Sequence, residues 1–382
     1  MAGLYIHIPF CAKRCIYCDF YSNTNMEYKE AYISALLHEM ELRSDYLHGE
    51  KIKTIYFGGG TPSQLQARDL EKIFDGIYRI FPVSENPEIT IEANPDDLSA
   101  GYIASLKTMS VNRISIGIQS FIDEELNLLN RRHTANEAIE AVCRCKDSGI
   151  ENVSLDLIYG LPGQTMEKWL YNLEKAIELD ISHISAYNLT YEEGTKIYDM
   201  MCKDEVQPVD DEVNELFFHS LVKRLTGAGF IHYEISNFAK SSASYPEGRI
   251  SLHNSSYWNG THYIGLGASA HSYDGKSRSW NVSSISEYIK SINEKSVTPC
   301  DTECLDERMR YNDFIITRLR TMWGVSVNEL KEEFGEEFQR YFFEKITPFL
   351  YLNKLKKHDD NVKVSSGSIF MSDAIIRELI AL

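Results

Sequence analysis

Cys11, Cys15 and Cys18 crowd into one short segment with Cys-x3-Cys-x2-Cys spacing, while Cys143, Cys145, Cys202, Cys300 and Cys304 lie scattered. A tight cluster in a large chain reads as metal binding or catalysis; a secreted disulfide scaffold would spread its cysteines through a short one. Three is the informative number. A structural zinc site closes with four ligands and would have to borrow His7 or a distant cysteine. A [4Fe-4S] cube normally takes four thiolates, so three leave one iron open to a ligand from outside the protein. Asp19 is an awkward fourth ligand, because it is adjacent to Cys18. Three ordinary buried cysteines are the remaining reading.

Other polar groups recur where apolar runs end. Gly58-Gly59-Gly60-Thr61-Pro62 follows Thr54–Phe57, and Glu92-Ala93-Asn94-Pro95 closes Glu88–Glu92. Gln119-Ser120-Phe121 follows Arg113–Ile118, and Tyr159-Gly160-Leu161-Pro162-Gly163 follows Val153–Ile158. With Leu4–Ile8 and His183–Leu189, these runs make six strand candidates. Amphipathic stretches lie between them, near Tyr28–Arg43, Ala67–Tyr78, Ala135–Ser148 and Met166–Leu179. Alternating β and α segments imply parallel strands with helical crossovers, hence an α/β barrel or a doubly wound sheet. In either, the loops at the carboxyl ends of the strands share one face.

The grammar changes after a helical pattern at Asp211–Thr226. His232–Phe238 and Tyr263–Tyr273 read as strands without crossover helices, an antiparallel extension. Helix patterns at Glu307–Thr321, Val327–Phe334 and Glu337–Leu350, then a hairpin-like stretch at Leu355–Phe370, follow the order of a winged helix. The expected units are 1–230, 231–298 and 299–382. From Asp301 onward 15 acidic residues face 12 basic ones, so this last unit reads as packing or docking structure rather than a DNA reader.

Composition bounds the function. The 382 residues, 43% hydrophobic and 25% charged, can bury a large core and are not disordered. The net charge of −17 argues against nucleic acid as a partner, since phosphate binding needs a basic face. No run approaches the roughly 18 apolar residues of a membrane span, and Pro9 and Lys13 interrupt the first apolar segment, so the expected location is cytoplasmic.

The cysteine spacing, with Tyr17 just before the last cysteine, resembles the radical S-adenosylmethionine (SAM) superfamily. Tyr5-Ile6-His7-Ile8-Pro9-Phe10-Cys11, the Gly58–Ser63 and Glu92–Pro95 segments, Gly117–Phe121 and Asp156–Gly163 resemble its oxygen-independent coproporphyrinogen III oxidase branch. The resemblance implies a partial (β/α)6 barrel, a [4Fe-4S] cluster on Cys11, Cys15 and Cys18, and SAM chelated to the open iron. It also implies SAM contacts from Tyr5, Gly59, Gly60, Thr61, Glu92, Gln119, Arg131 and Asp156, with Tyr17 beside the cluster. Their chemistry agrees: glycine admits close approach to backbone amides, carboxylates suit ribose hydroxyls, and Arg131 can pair with a carboxylate.

Two departures separate the chain from the decarboxylating oxidase. Phe20 stands where that enzyme has a further cysteine, and Tyr5 is almost the first residue, with no extended arm before it. Both resemble the HemW-type haem chaperones. So does His253-Asn254-Ser255-Ser256-Tyr257-Trp258, which matches an HNxxYW haem-binding motif and makes His253 the implied iron ligand, ahead of His271. The expected function is holding haem and passing it to an acceptor haem protein, with respiratory proteins the recipients by family analogy. The alternative is oxidative decarboxylation of coproporphyrinogen III.

Overall fold

The computed structural model describes residues 1–381. Its first half runs β1 (Ala2–Ile8), α1 (Lys29–Leu42), β2 (Ile52–Gly59), α2 (Ala67–Ile80), β3 (Val83–Ala93) and α3 (Ala100–Thr108). It continues with β4 (Arg113–Gln119), α4 (Asp123–Leu128), α5 (Ala135–Asp147), β5 (Asn152–Tyr159), α6 (Met166–Glu178) and β6 (His183–Asn188). The six strands pair in chain order and all run parallel, as crossover helices require. Thr134 and Glu137 close a capping box at the start of α5, and the Thr165 hydroxyl caps α6.

Side chains alternate along each strand. Leu4, Ile6, Ile8, Ile55, Phe57, Ile89, Ile114 and Ile116 are buried in the main apolar core. The intervening Tyr5, His7, Tyr56, Glu92, Ser115 and Asp156 turn to the other face and fill the barrel lumen with polar groups. The helical layer therefore supplies the hydrophobic stabilisation, and the lumen carries the chemistry.

Helices α7 (Lys196–Cys202) and α8 (Asp211–Gly227) lead into a hairpin of β7 (Phe230–Glu234) and β8 (Asn237–Lys240), with β8 antiparallel to β6. Helix α9 (Leu252–Trp258) then crosses under the barrel. On the far side, β9 (Tyr263–Leu266) runs parallel to β1, and β10 (His271–Tyr273), β11 (Ser277–Asn281) and β12 (Cys300–Cys304) add antiparallel, with α10 (Ile285–Lys295) between the last two. One open twelve-stranded sheet results, ordered β12-β11-β10-β9-β1-β2-β3-β4-β5-β6-β8-β7. The antiparallel strands thus divide between both edges of the sheet. Strand β9 is parallel because α9 carries the chain beneath the barrel instead of turning it back.

The C-terminal unit holds α11 (Glu307–Leu319), β13 (Val325–Ser326), α12 (Val327–Tyr351), β14 (Leu355–His358), β15 (Asn361–Val364) and α13 (Ser372–Leu379). Its three strands pair antiparallel in the order β13-β15-β14, and its own core includes Tyr311, Leu330, Phe342 and Ile346. This is the winged-helix order expected. Helix α12 breaks at Gly335, where φ is 78°. Among the described residues no helix is long and apolar enough to cross a membrane.

Candidate functional site

Cys11, Cys15 and Cys18 open on one cavity of about 570 Å³ at the carboxyl ends of the strands. The Cys11 Sγ lies 3.3 Å from Thr61 Oγ1, and Arg131 donates to the Cys15 Sγ at 3.3 Å. Burial pushes the Cys11 thiol up and the Cys18 thiol up to about 11. Such thiols ionise when a metal takes the place of the proton. His7 is not available to complete the set. Its Nε2 bonds the Tyr21 carbonyl at 3.0 Å and its Nδ1 the Tyr5 hydroxyl at 3.1 Å. Among the described residues no three His, Cys, Asp or Glu side chains converge on a single-ion site. The cysteines instead face a common void, which suits a polynuclear cluster taking one thiolate per iron.

The cavity wall holds Tyr17, Gly59, Gly60, Thr61, Glu92, Gln119, Arg131 and Asp156 together. Tyr5 is not on this wall; it lies below, bonded to His7 and packed on Tyr56 with ring centroids 6.2 Å apart. The glycines also answer to packing. A Cβ on Gly59, at φ +106°, would stand 2.5 Å from the His7 ring, and one on Gly60 would stand 2.9 Å from the Ile8 carbonyl. The Gly60 amide donates to that carbonyl. The two missing side chains let β2 dock against β1 and the cysteine loop.

Two carboxyl groups share the cavity. Burial, opposed by the Tyr56 hydroxyl at 2.7 Å and reinforced by the Asp156 charge, raises Glu92 to about 7. Burial likewise raises Asp156 to about 6, against hydrogen bonds from Ser185 and Ser115. Near neutrality each can donate or accept, which suits hydroxyl recognition. Gln119 reaches the wall from a register shift in the β4–β5 pairing, with φ +72°. A non-glycine residue held there stores backbone strain beside the cavity. Arg131 donates to Asn94 Oδ1 at 2.5 Å and to the Gly117 carbonyl, and its buried Nε has no partner.

The opposite end of the barrel is closed. Helix α9 starts at Ser251, whose hydroxyl accepts the Asn254 amide. Glu88 on β3 accepts the amides of His253 and Leu252 at 2.9 and 3.1 Å, a carboxylate cap on a helix N-terminus. His253 points up into the lumen and is 1% exposed. Its Nδ1 pairs with Thr54 Oγ1 at 2.8 Å and its Nε2 with the Tyr257 hydroxyl at 2.9 Å, while its ring stacks on Tyr56 at 4.9 Å. Burial drives its pKa down to about 3. Both ring nitrogens of His253 are thus engaged within the barrel in the folded chain. His271 is exposed on β10, outside both cavities. The other face of α9 lines a second cavity, of about 650 Å³, against the C-terminal unit.

Residues 5–176 match the model of the radical SAM superfamily, and residues 305–367 match the HemN C-terminal domain. Across 90% of the chain, 36% of residues are identical to the Bacillus subtilis protein named heme chaperone HemW, of which 89% is covered. The Escherichia coli protein of the same name is 39% identical over 70% of this chain and 69% of its own. The chain belongs to the HemW family. The fold matches the solved Escherichia coli coproporphyrinogen III oxidase HemN with a TM-score of 0.85 at 20% identity, covering 100% of this chain and 90% of that one. At that identity the likeness is one of fold.

In this HemW family member, three cavity residues escaped the sequence reading as functional groups. Asn94 was visible only as part of a strand-ending motif, yet it holds Arg131 in place. A Cβ on Gly117 would stand 3.0 Å from Gln119 and 3.4 Å from Arg131, so a side chain there would press on both. His133 lines the cavity and bonds the Ile118 carbonyl at 3.1 Å.

Proposed function

We propose that the chain binds haem and passes it to an acceptor haem protein, in the cytoplasm, with a [4Fe-4S] cluster and SAM as resident cofactors. The observation that carries this reading is the 36% identity, along 90% of the chain, to a protein named heme chaperone HemW. Cys11, Cys15 and Cys18 would hold three corners of the cluster, and the cavity they share supports that assignment. When bound, the cluster supplies a chelation point for the amino acid end of SAM and a source of one electron. Arg131, steadied by Asn94, keeps an unpartnered buried Nε as a donor for a carboxylate. Glu92, Gln119 and Asp156 present acceptors and donors for hydroxyl groups along the same wall.

The filled lumen favours this reading over decarboxylation. Tyr5, Tyr56, His253 and Tyr257 occupy the space beneath the cavity. The cavity above them, of about 570 Å³, is of small-molecule size.

An anaerobic preparation, with iron, SAM and haem titrated on the same sample, tests the reading. The expected result is stoichiometric haem binding and movement of that haem to an apo-haem protein. Absence of haem binding overturns it. So does protoporphyrinogen formation from coproporphyrinogen III in the presence of SAM and a reductant.

A further inference from the structure

Strand β4 turns every second side chain into the lumen, and its row reads Arg113, Ser115, Gly117 from the floor upward. The last two belong to the wall of the cysteine cavity. Arg113 lies beneath them and is 1% exposed, with Nε and Nη1 buried and without a hydrogen-bond partner. Thr90, directly opposite on β3, is buried as well, and its Oγ1 is also unpartnered. A guanidinium does not shed its charge within the range of pH in which proteins fold. A buried cation without close partners is among the most destabilising groups a fold can hold, and an apolar residue of similar size would be better tolerated. Its presence calls for a reason other than packing.

Two carboxyls stand above it, one on each strand flanking β4. Glu92 on β3 lies opposite Ser115, and the Asp156 carboxyl from β5 accepts from the Ser115 hydroxyl at 3.3 Å. Both therefore sit at the level of Ser115, two residues or about 7 Å along the strand from Arg113. At that range, away from solvent, a unit charge acts strongly on a carboxyl. The other groups around them are mostly uncharged. Burial keeps the rings of His7 on β1, His183 on β6 and His253 on α9 neutral. It does the same for the phenols of Tyr5, Tyr56, Tyr187, Tyr233 and Tyr257. Glu88 has both oxygens on the amides of α9, and Glu234, at the end of β7, is raised by burial and accepts from Asn237 Nδ2 at 2.6 Å. Arg131, on the cavity wall, is the other cation near Asp156.

Resting on the SAM-binding reading above, we propose that Arg113 is a positioning residue for the cysteine cavity, its fixed positive charge keeping Glu92 and Asp156 ionised for the guest without touching the guest itself. Burial raises Glu92 to about 7 and Asp156 to about 6, and the Arg113 charge opposes burial in both. With that charge removed, burial meets less opposition and both carboxyls hold their protons to higher pH. A protonated carboxyl still bonds a hydroxyl by donating to it, but it no longer balances the sulfonium charge of SAM. The effect of Arg113 on the cavity is therefore greatest near neutrality and vanishes once the pH is high enough to ionise both carboxyls without help.

Two measurements on the full chain test this. In cofactor-free protein, the infrared carbonyl band of protonated carboxyls, assigned with Glu92→Gln and Asp156→Asn, is followed against pH. Arg113→Met is expected to move its midpoint up by about one pH unit. Thr90→Asp, which sets a counter-charge opposite the intact guanidinium, is expected to move it the same way, and it decides the question should Arg113→Met not fold. In anaerobically reconstituted protein, SAM binding is titrated by calorimetry across the same range. Arg113→Met is expected to bind SAM about tenfold more weakly at about pH 7 and to converge on wild type by about pH 9. An unshifted carboxyl band, or a SAM deficit that stays constant with pH as a merely structural role would give, overturns the inference. Wild-type protein that binds SAM normally, with an unshifted band in the variants, sinks the inference alone. Wild-type protein that binds no SAM sinks the proposed function and the inference together.

Discussion

The two ends of the barrel are built from similar residue types and treat them in opposite ways. At the carboxyl end, the cysteine thiols and Arg131 Nε face a void with bonding capacity to spare. At the amino end, His253 has both ring nitrogens bonded and Glu88 both oxygens. Buried polar groups cost little when satisfied and much when not. His253 and Glu88 are therefore satisfied as folded, whereas the cysteine cavity keeps donors to spare; Arg113, at the amino end of β4, also keeps Nε and Nη1 without a partner.

The largest expected effect falls on the cavity. Replacing Cys11, Cys15 or Cys18 by Ala should abolish iron retention after anaerobic reconstitution, measured as iron and sulfide per chain. Retention of full iron in any of the three would show that the cluster lies elsewhere. At the floor, His253→Ala should cost about 3 kcal/mol of stability at neutral pH, because it empties a packed site and leaves Thr54 and Tyr257 unpaired. Urea denaturation reads that loss, and iron content should not change. A smaller effect returns to the cavity: Arg131→Lys should weaken SAM binding to the reconstituted protein by about tenfold, since the planar fork facing a carboxylate is lost. Equal SAM affinity would remove Arg131 from the wall's working set.

Much of this contrast was hidden in the sequence for physical reasons. The parallel strands were legible because apolar runs such as Thr54–Phe57 and Val153–Ile158 lead into glycine-rich turns. Strand β3 extends back to Val83 through the polar residues Ser84-Glu85-Asn86-Pro87, which no periodicity reveals; its pairing with β2 begins there, Val83 opposite Ile52. Helix α9 is only seven residues long. Too short to show a hydrophobic period, it left His253 to be read from its motif resemblance and not from any element. A histidine between Thr54 and Tyr257 depends on contacts 199 residues away in one direction and 4 in the other. The packing demand on the cavity glycines, from His7 and the Ile8 carbonyl, is long-range and invisible in the sequence.

The finest distinction between the two ends is a slope with pH. His253 is held near a pKa of about 3, against 6.5 for the free side chain. The unfolded chain therefore binds a proton below pH 6.5 that the folded protein refuses. The stability contributed by the neutral ring is complete above that pH and drains away as pH falls toward 3. The slope at full effect is about 1.4 kcal/mol per pH unit. His253→Ala lacks this group, so its deficit should be largest above pH 7 and shrink on acidification, reaching nothing near pH 4.5. His7 and His133, each lowered to about 4, titrate in both proteins and cancel in the difference. Paired denaturation curves from about pH 5 to about pH 7.5 give the slope directly. A deficit that stays constant across that range would mean the ring accepts a proton in the folded protein. One nitrogen would then be open, and the floor of the barrel would be a ligand site after all.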